Sequence, residues 1–255
     1  WLGHRLAQAE ASLMGAKILN LGCGTRTSAA TINIDWSPQV RIKSSKLGDK
    51  VAKRLLSGER LDNYNAIEGN LMVHDLRKGI PFESGSIDAV YHSHVLEHID
   101  RDGIDGFLAE IKRVLKPGGV HRIVVPDLEP LLRGYLDSLS AIDAGHGNPE
   151  AHDDHVASFA EQMVRREAAG TSQQPPMRRK VENTLLGDAR KRGETHQWMW
   201  DRVNLAVVLK QAGFIDPTVV DFKTSAIDDW TSTGLDQEPD GSEYRPGSLY
   251  MEATR

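Results

Sequence analysis

Apolar residues in this chain come in short runs set between polar, turn-forming stretches. The opening WLGHRLAQAEASLMG repeats them at helical spacing, with Leu2, Leu6, Ala9 and Leu13 near one face. Strand-length runs follow at KILNL, ATINID, LMVHDL, IDAVYHS and VHRIVVP, each closed by a turn or a polar loop. Helix-like segments separate them, the clearest being GIDGFLAEIKRVLK, which the PGG beginning at Pro117 closes. Such alternation predicts an α/β fold, a parallel sheet with helices on both faces. From about Leu131 to Glu194 the pattern loosens. There AGHGNPEAHDDH and AAGTSQQPPMRRK have loop composition and helical stretches lie around them, so the segment predicts a helical cap inserted into a single domain of residues 1–255. DRVNLAVVLKQAGF then gives an amphipathic helix ending at Gly213, and DPTVVDFKTS and GSLYMEATR give two last strands.

The first chemical signal is LNLGCGT, Leu19 to Thr25, followed by INIDW, Ile32 to Trp36. A glycine turn after an apolar strand lets a ligand come close to the backbone. The dinucleotide fingerprint asks for G-x-G-x-x-G opening a full helix, with the ribose-binding acid about 20 residues on. Here Thr27 holds the third glycine position, and only 10 residues lie between Gly24 and Asp35. That is too short for a full helix plus a strand, which makes a nicotinamide-dependent oxidoreductase the second reading. S-adenosylmethionine has no phosphate and asks for different partners. Gly22, Cys23 and Gly24 offer backbone polar groups to its amino-acid end, and Asp35 offers a carboxylate to its ribose diol. Trp36 supplies a wall, and Asp75, ending the third strand, an acceptor for the adenine amino group.

Taken in order, LNLGCG, NIDWSP, HDLRKGIPFESGSIDAVYHSHVLEHI and EIKRVLKPGGVHRIVVPDLE resemble the class I S-adenosylmethionine-dependent methyltransferases. More narrowly they are similar to a bacterial, type 11-like subgroup with a shortened loop between the first two strands and an SHVLEH stretch after the fourth. The resemblance is dense over Lys17–Leu132 and returns at HQWMWDRVNLAVVLKQAGF and SLYMEA. It implies a Rossmann-like, doubly wound sheet of seven strands with the last antiparallel, and a cofactor over the carboxyl ends of the first strands. Asn20, His74, Leu76 and Ser93 join the cofactor contacts that it implies. A protein that keeps the fold and the cofactor but has lost activity is a further alternative.

The formal charge of −5, from 31 basic and 36 acidic residues, gives no sequence-wide pull toward nucleic acid or an anionic membrane. The single cysteine, Cys23, excludes an intrachain disulfide and fits a reducing, cytoplasmic setting. No apolar run approaches the roughly 20 residues that span a bilayer. The chain starts at Trp1, which leaves a preceding targeting segment open. Between Arg165 and Arg192 stand eight Lys or Arg residues against three acids. This favours an anionic small molecule or glycan as methyl acceptor. Aromatic residues are not interleaved with the basic ones, so nucleic acid is not expected. By analogy with the subgroup, the expected reaction is O-methylation of a sugar-containing acceptor.

Methyl transfer from a sulfonium depends mostly on orientation and desolvation, and a base is needed when the acceptor is a poorly acidic hydroxyl. His94, at the end of the fourth strand, has a side chain suited to taking a proton near neutrality. Asp127, just past the fifth strand, is a second candidate, and His196 and Trp200 are expected to fold back over the pocket. Asp88 is expected to hold the turn before the fourth strand. Cys23 is not expected to act as a nucleophile. HSHVLEH brings His92, His94 and His98 close in sequence, but Glu97 is expected to point away from His94 on a helix, and no zinc spacing is completed. HDDH, His152 to His155, reads as a solvated loop. No metal is expected.

Overall fold

A computed structural model describes residues 16–162 and 196–255. The helix expected at the N-terminus and the basic stretch Arg165–Arg192 lie outside them. Seven strands form one sheet: β1 (Ile18–Leu21), β2 (Ile32–Asp35), β3 (Asn70–Val73), β4 (Ile87–Ser93), β5 (Leu115–Pro126), β6 (Ile215–Val220) and β7 (Ser248–Thr254). Their order is β3-β2-β1-β4-β5-β7-β6. Pairing from β3 through to β5 is parallel, and β7 runs antiparallel to both β5 and β6. This is the doubly wound sheet with an antiparallel last strand that the resemblance implied.

The central strands are buried on both faces, which is why they read as continuous apolar runs. Leu19, Leu21, Val90, Ile123, Val125, Leu249 and Met251 point to one side of the sheet. There α4 (Arg101–Val114) presents Ile104, Leu108 and Ile111, and α7 (Arg202–Gln211) presents Leu205 and Leu209. The spacing of three and four residues puts each set on one helical stripe. Helix α4 stops at Val114, before LKPGG, because Lys116 precedes a proline and is biased away from helical backbone. Helix α7 starts at a capping box in which Asp201 accepts from Val203 N and Asn204 N. Three short helices, α1 (Pro38–Lys43), α2 (Lys46–Leu55) and α3 (Glu59–Asn65), connect β2 to β3.

On the other side Ile18, Ala89, Tyr91, Val124 and Tyr250 are covered by Ile227, Trp230 and Leu235. The cover here is the irregular connection between β6 and β7, and it is held by a buried arginine. Arg122, 0% exposed in β5, donates to Asp236 Oδ2 at 2.9 Å and to Glu252 Oε1 at 2.7 Å. It also donates to the carbonyls of Asp221 and Thr224, both at 2.9 Å. Tyr91 Oη and Trp230 Nε1 donate to the same Asp236 carboxylate, at 2.6 and 2.9 Å. Every oxygen of Asp236 therefore faces a donor, and the arginine charge is answered by two carboxylates.

After β5, α5 (Leu128–Asp143) and α6 (Pro149–Gln162) pack on each other. The HDDH stretch lies inside α6, which corrects the loop reading. Pro149 is the first residue of α6, where its missing N–H costs nothing, and a helix therefore follows the AGHGN turn. His152 Nδ1 lies 2.9 Å from Ser138 Oγ, and its ring is 5.0 Å from that of Tyr135. The histidines of this stretch are thus spent on helix packing.

His92 and His121 lie side by side in the helix-covered core, Nε2 to Nε2 at 3.0 Å. Neither Nδ1 has a hydrogen-bond partner. Burial pulls His92 from 6.5 down to about 4, against a smaller opposite pull from Glu97, and holds His121 well below its ordinary value.

Two predictions follow from this packing. Arg122→Leu leaves two carboxylates buried without their cation, and urea unfolding should show a loss of about 3–5 kcal/mol. A loss under about 1 kcal/mol would mean the network contributes little to stability. The buried histidines stay neutral where unfolded ones take up protons, so stability should fall as pH drops from 6.5 toward about 4. Urea midpoints at about pH 7.5 and about pH 5 measure this drop, and His92→Leu/His121→Leu should shrink it. An unchanged drop in the double variant would place the acid sensitivity elsewhere.

Candidate active site at the carboxyl ends of the strands

The turn after β1 is fixed by its own backbone. Gly22 N and Cys23 N both donate to the Ile34 carbonyl, at 2.8 and 3.3 Å, and Arg26 N donates to Cys23 O at 2.9 Å. Gly22 and Gly24 have φ of +64° and +52°, the left-handed region where a Cβ is strained. A Cβ on Gly22 would lie 2.6 Å from Val95 Cγ2, whereas one on Gly24 would meet nothing within 4 Å. Gly22 is therefore required by packing, and Gly24 leaves open space against the turn. Beneath it Asn20, 1% exposed, donates to Arg26 O at 2.9 Å and to Asn33 Oδ1 at 3.0 Å, so that its side chain shapes the turn from below. Arg26 donates to the carbonyls of Gly234, Leu235 and Gln237 and stacks 4.0 Å from the Tyr244 ring centre. The glycine turn is thereby tied to the same connection that Arg122 holds.

Asp35 ends β2 with its carboxylate folded back on this turn. Gly24 N donates to Oδ2 at 2.7 Å and Ser37 N to Oδ1. Each oxygen keeps lone pairs beyond the one used, so a diol can still be received there. Open space at Gly24 beside an oriented carboxylate fits the ribose end of S-adenosylmethionine. Trp36 is 45% exposed, with the Arg41 guanidinium 4.6 Å from its ring centre. His74 N donates to Asp35 O at 3.1 Å, while its Nε2 lies 2.9 Å from Gly79 O. Asp75 caps the short turn Leu76–Lys78 and receives Arg77 on both oxygens at 2.8 Å. Arg77 holds the Asp75 carboxyl below its ordinary range. Leu76 packs against the helix-covered core. Cys23 is buried, and desolvation together with the Asp35 charge pushes its thiol far above its ordinary value. It is no nucleophile.

At the end of β4 the backbone turns sharply. Ser93 pairs with Val124, and His94 follows with φ +53°, a left-handed non-glycine residue pinned by its N–H to Val124 O at 2.9 Å. Only the single 3-10 turn Leu96–His98 follows, not the helix expected from sequence. This overturns the expectation for Glu97. Its carboxylate, 1% exposed, lies 3.3 Å from His94 Nδ1 and 3.8 Å from His98 Nε2. Neither of its oxygens receives a hydrogen bond of good geometry. Burial raises its pKa, but the close approach and charge of His94, with the charge of His98, outweigh this and hold it below the ordinary carboxylate range. His94 Nε2 lies 3.0 Å from Ser248 Oγ at the start of β7.

The segment from His196 to Trp200 returns to this point. Gln197 N donates to Glu97 O at 2.6 Å, and the His196 and His98 rings lie 4.9 Å apart. Trp200 has its side chain fully buried in the core and its backbone bridged to Asp127 just past β5, whereas His196 meets His98 after β4. Asp127 caps α5 by accepting from Glu129 N at 3.0 Å, and burial raises its pKa. Its N–H donates to Gly247 O at 3.1 Å, which sets Ser248 in place. Asp88 has the structural role expected of it: it accepts from Lys17 N at 2.8 Å and pairs with Lys116 at 2.6 Å, at the opposite end of the strands. Sequence reasoning missed Ser248, Arg77 and the orientation of Glu97. The spacing of His94 and Glu97 was a signal for the last, but a strand–helix junction was assumed in place of a left-handed turn.

Comparison with known proteins gives this site a context. Residues 19–123 match the sequence profile of the family described as methyltransferase domain. A demethylmenaquinone methyltransferase of Clavibacter sepedonicus is 34% identical over 135 residues, which is 50% of this chain and 49% of that protein. An uncharacterized 37.1 kDa protein of a Streptomyces fradiae transposon is 34% identical over 124 residues, 48% of this chain and 34% of that one. The chain thus spans a third to a half of the length of the curated relatives it matches. A solved S-adenosylmethionine-dependent methyltransferase from Methanosarcina mazei aligns over 98% of this chain and 96% of its own, at 14% identity and a TM-score of 0.44.

Asp35→Ala removes the carboxylate from this end of the sheet. Calorimetric titration with S-adenosylhomocysteine should show affinity reduced by about 10- to 100-fold, the value of one or two charge-assisted hydrogen bonds. Undiminished binding, or preferential binding of NADH, would mean that the glycine turn holds something else.

Proposed function

We propose that the protein is a class I S-adenosylmethionine-dependent methyltransferase, its residues 19–123 matching the methyltransferase-domain profile, and that it moves a methyl group from that cofactor to a hydroxyl of a small-molecule acceptor. The observation that carries the hydroxyl is the pairing of buried Glu97 with His94 Nδ1 at 3.3 Å, which leaves Nε2 turned to Ser248 Oγ at 3.0 Å. With Nδ1–H facing a carboxylate, Nε2 carries the lone pair and the imidazolium is stabilised once formed. An acceptor hydroxyl taking the place of Ser248 Oγ gives its proton to Nε2. A hydroxyl needs such a base, whereas an amine or a thiolate does not.

Bound S-adenosylmethionine supplies an electrophilic methyl on a sulfonium. The chain's own part is to orient and to exclude water. Asp35 and the Gly22–Gly24 turn hold the cofactor's ribose and amino-acid ends, with Asn20, Cys23, Trp36, His74, Asp75, Leu76 and Ser93 around them. Asp127 and His196 border the acceptor side. Helices α5 and α6 belong to the segment expected from sequence to cap the acceptor side. A small-molecule acceptor is supported by the name of the Clavibacter sepedonicus relative. The sugar-containing acceptor rests on resemblance alone, because the basic stretch Arg165–Arg192 lies outside the described residues.

Transfer of labelled methyl to a panel of phenolic, sugar and amine acceptors tests this reading. His94→Asn should lower kcat on the hydroxyl acceptor by about 100- to 10,000-fold, the usual worth of a general base. S-adenosylhomocysteine affinity should stay unchanged. Transfer to amines only, or a kcat unmoved by His94→Asn, would sink the hydroxyl assignment.

A further inference from the structure

Glu97 is a problem for a metal-independent site. Its carboxylate is 1% exposed, and burying a charge without hydrogen bonds costs several kcal/mol unless a counter-charge answers it. The groups around it are imidazoles. One ligand atom each from Glu97, His98 and His196 lie within 4.8 Å of one another. Ligands of a single first-row divalent ion stand about 3.4 Å apart in a tetrahedron, given metal–ligand distances near 2.1 Å.

We propose that Glu97, His98 and His196 bind a divalent transition-metal cation beside the methyl-transfer position. The donor set is two imidazoles and one carboxylate, which suits zinc, iron(II), cobalt(II) or manganese(II) and is a poor match for the all-oxygen preference of magnesium or calcium. The ligands come from two segments that the fold already fastens together. Gln197 N donates to Glu97 O at 2.6 Å, and this holds His196 against the turn that carries the other two. His98 and His196 present their rings edge to face, with centres 4.9 Å apart. His94, whose Nδ1 is 3.3 Å from the Glu97 carboxylate, stands next to the site as a positioning neighbour. Three protein ligands leave at least one coordination position open. On the hydroxyl reading above, that position takes the acceptor oxygen. Lewis-acid polarisation lowers the pKa of the bound hydroxyl, and His94 removes its proton. The earlier expectation of no metal depended on Glu97 pointing away from the histidines, which it does not.

The test reads metal binding itself, in the absence of cofactor and acceptor. The full chain, stripped with a chelator, is titrated with cobalt(II) by visible absorption and with zinc(II) by calorimetry. One equivalent per chain is expected, with cobalt d–d bands of a nitrogen- and oxygen-ligated ion. Glu97→Gln and His196→Ala should each weaken binding by about 100-fold or more, at or beyond the loss typical of outer-shell changes. His152→Ala, in the separate histidine pair of α6, should leave it unchanged. Absence of stoichiometric binding by the unaltered chain overturns the proposal, whatever the variants do. Equal affinity in Glu97→Gln, His196→Ala and the unaltered chain also overturns it by placing the ion elsewhere. Metal binding with transfer only to amines would overturn the hydroxyl reading and leave the metal site standing.

Discussion

Much of this molecule hangs on one buried cation. Arg122 sits in the middle of the sheet, on the face that, among the described residues, the β6–β7 connection covers, and gathers Asp236, Glu252 and the carbonyls of Asp221 and Thr224. The internal hydrogen bonding of this connection is short in range, a 3-10 turn at Trp230–Thr233 and a bridge between Gln237 and Glu243, and does not by itself fix it to the sheet. The arginine fork, with five donors in fixed directions, supplies the order that a helix would otherwise supply. Once pinned, the connection brings Trp230, Ile227 and Leu235 onto the sheet and presents three carbonyls to Arg26 in the glycine turn. It also ends at Ser248, which meets His94. Both halves of the candidate site therefore take their positions in part from a residue that touches neither.

Legibility in the sequence follows the range of the interactions. The strands around LNL and IDAVYHS and the helix after Asp201 are written in local pattern, because burial on both faces or on one stripe forces apolar residues into fixed periods. The glycine turn and Asp35 were legible for the same reason, being neighbours in both sequence and space. Arg122 was not, since an arginine inside an apolar strand contradicts its local pattern and is explained only by Asp236 and Glu252, 114 and 130 residues away. Glu97 was misread through a local error. Helical geometry was assumed for His94 onward, and a left-handed residue at φ +53° reverses where the next side chains point. HDDH failed in the opposite way, for loop-like composition hid a helix that proline starts and tertiary packing keeps.

Two buried polar clusters flank the candidate site and differ in how well their groups are satisfied. Asn20, Asn33, Thr31 and Ser28 fill the space under the shortened connection between β1 and β2 with mutually satisfied hydrogen bonds. Glu97 and its histidines lie at the end of β4, where satisfaction is incomplete. The contrast is informative. A satisfied network specifies a shape, whereas a buried group left short of partners is destabilising unless a ligand completes it.

In-line displacement asks that donor and acceptor be held about 3–3.5 Å apart, so the elements that carry them must not drift relative to each other. Here the two are neighbouring strands in parallel register, with Leu21 opposite His92. Immediately past that pair the cofactor turn and the acceptor loop come into contact, where Gly22 faces Val95 so closely that any Cβ would strike it at 2.6 Å. The glycine is thus set by the meeting of the two half-sites, not by room for the ligand. Its neighbour two residues on, with nothing within 4 Å of its missing Cβ, is the one that leaves the ligand space. A motif of two glycines divides its work in this way. One closes the joint between the turn after β1 and the loop after β4, and the other leaves open the surface on which the proposed cofactor would rest.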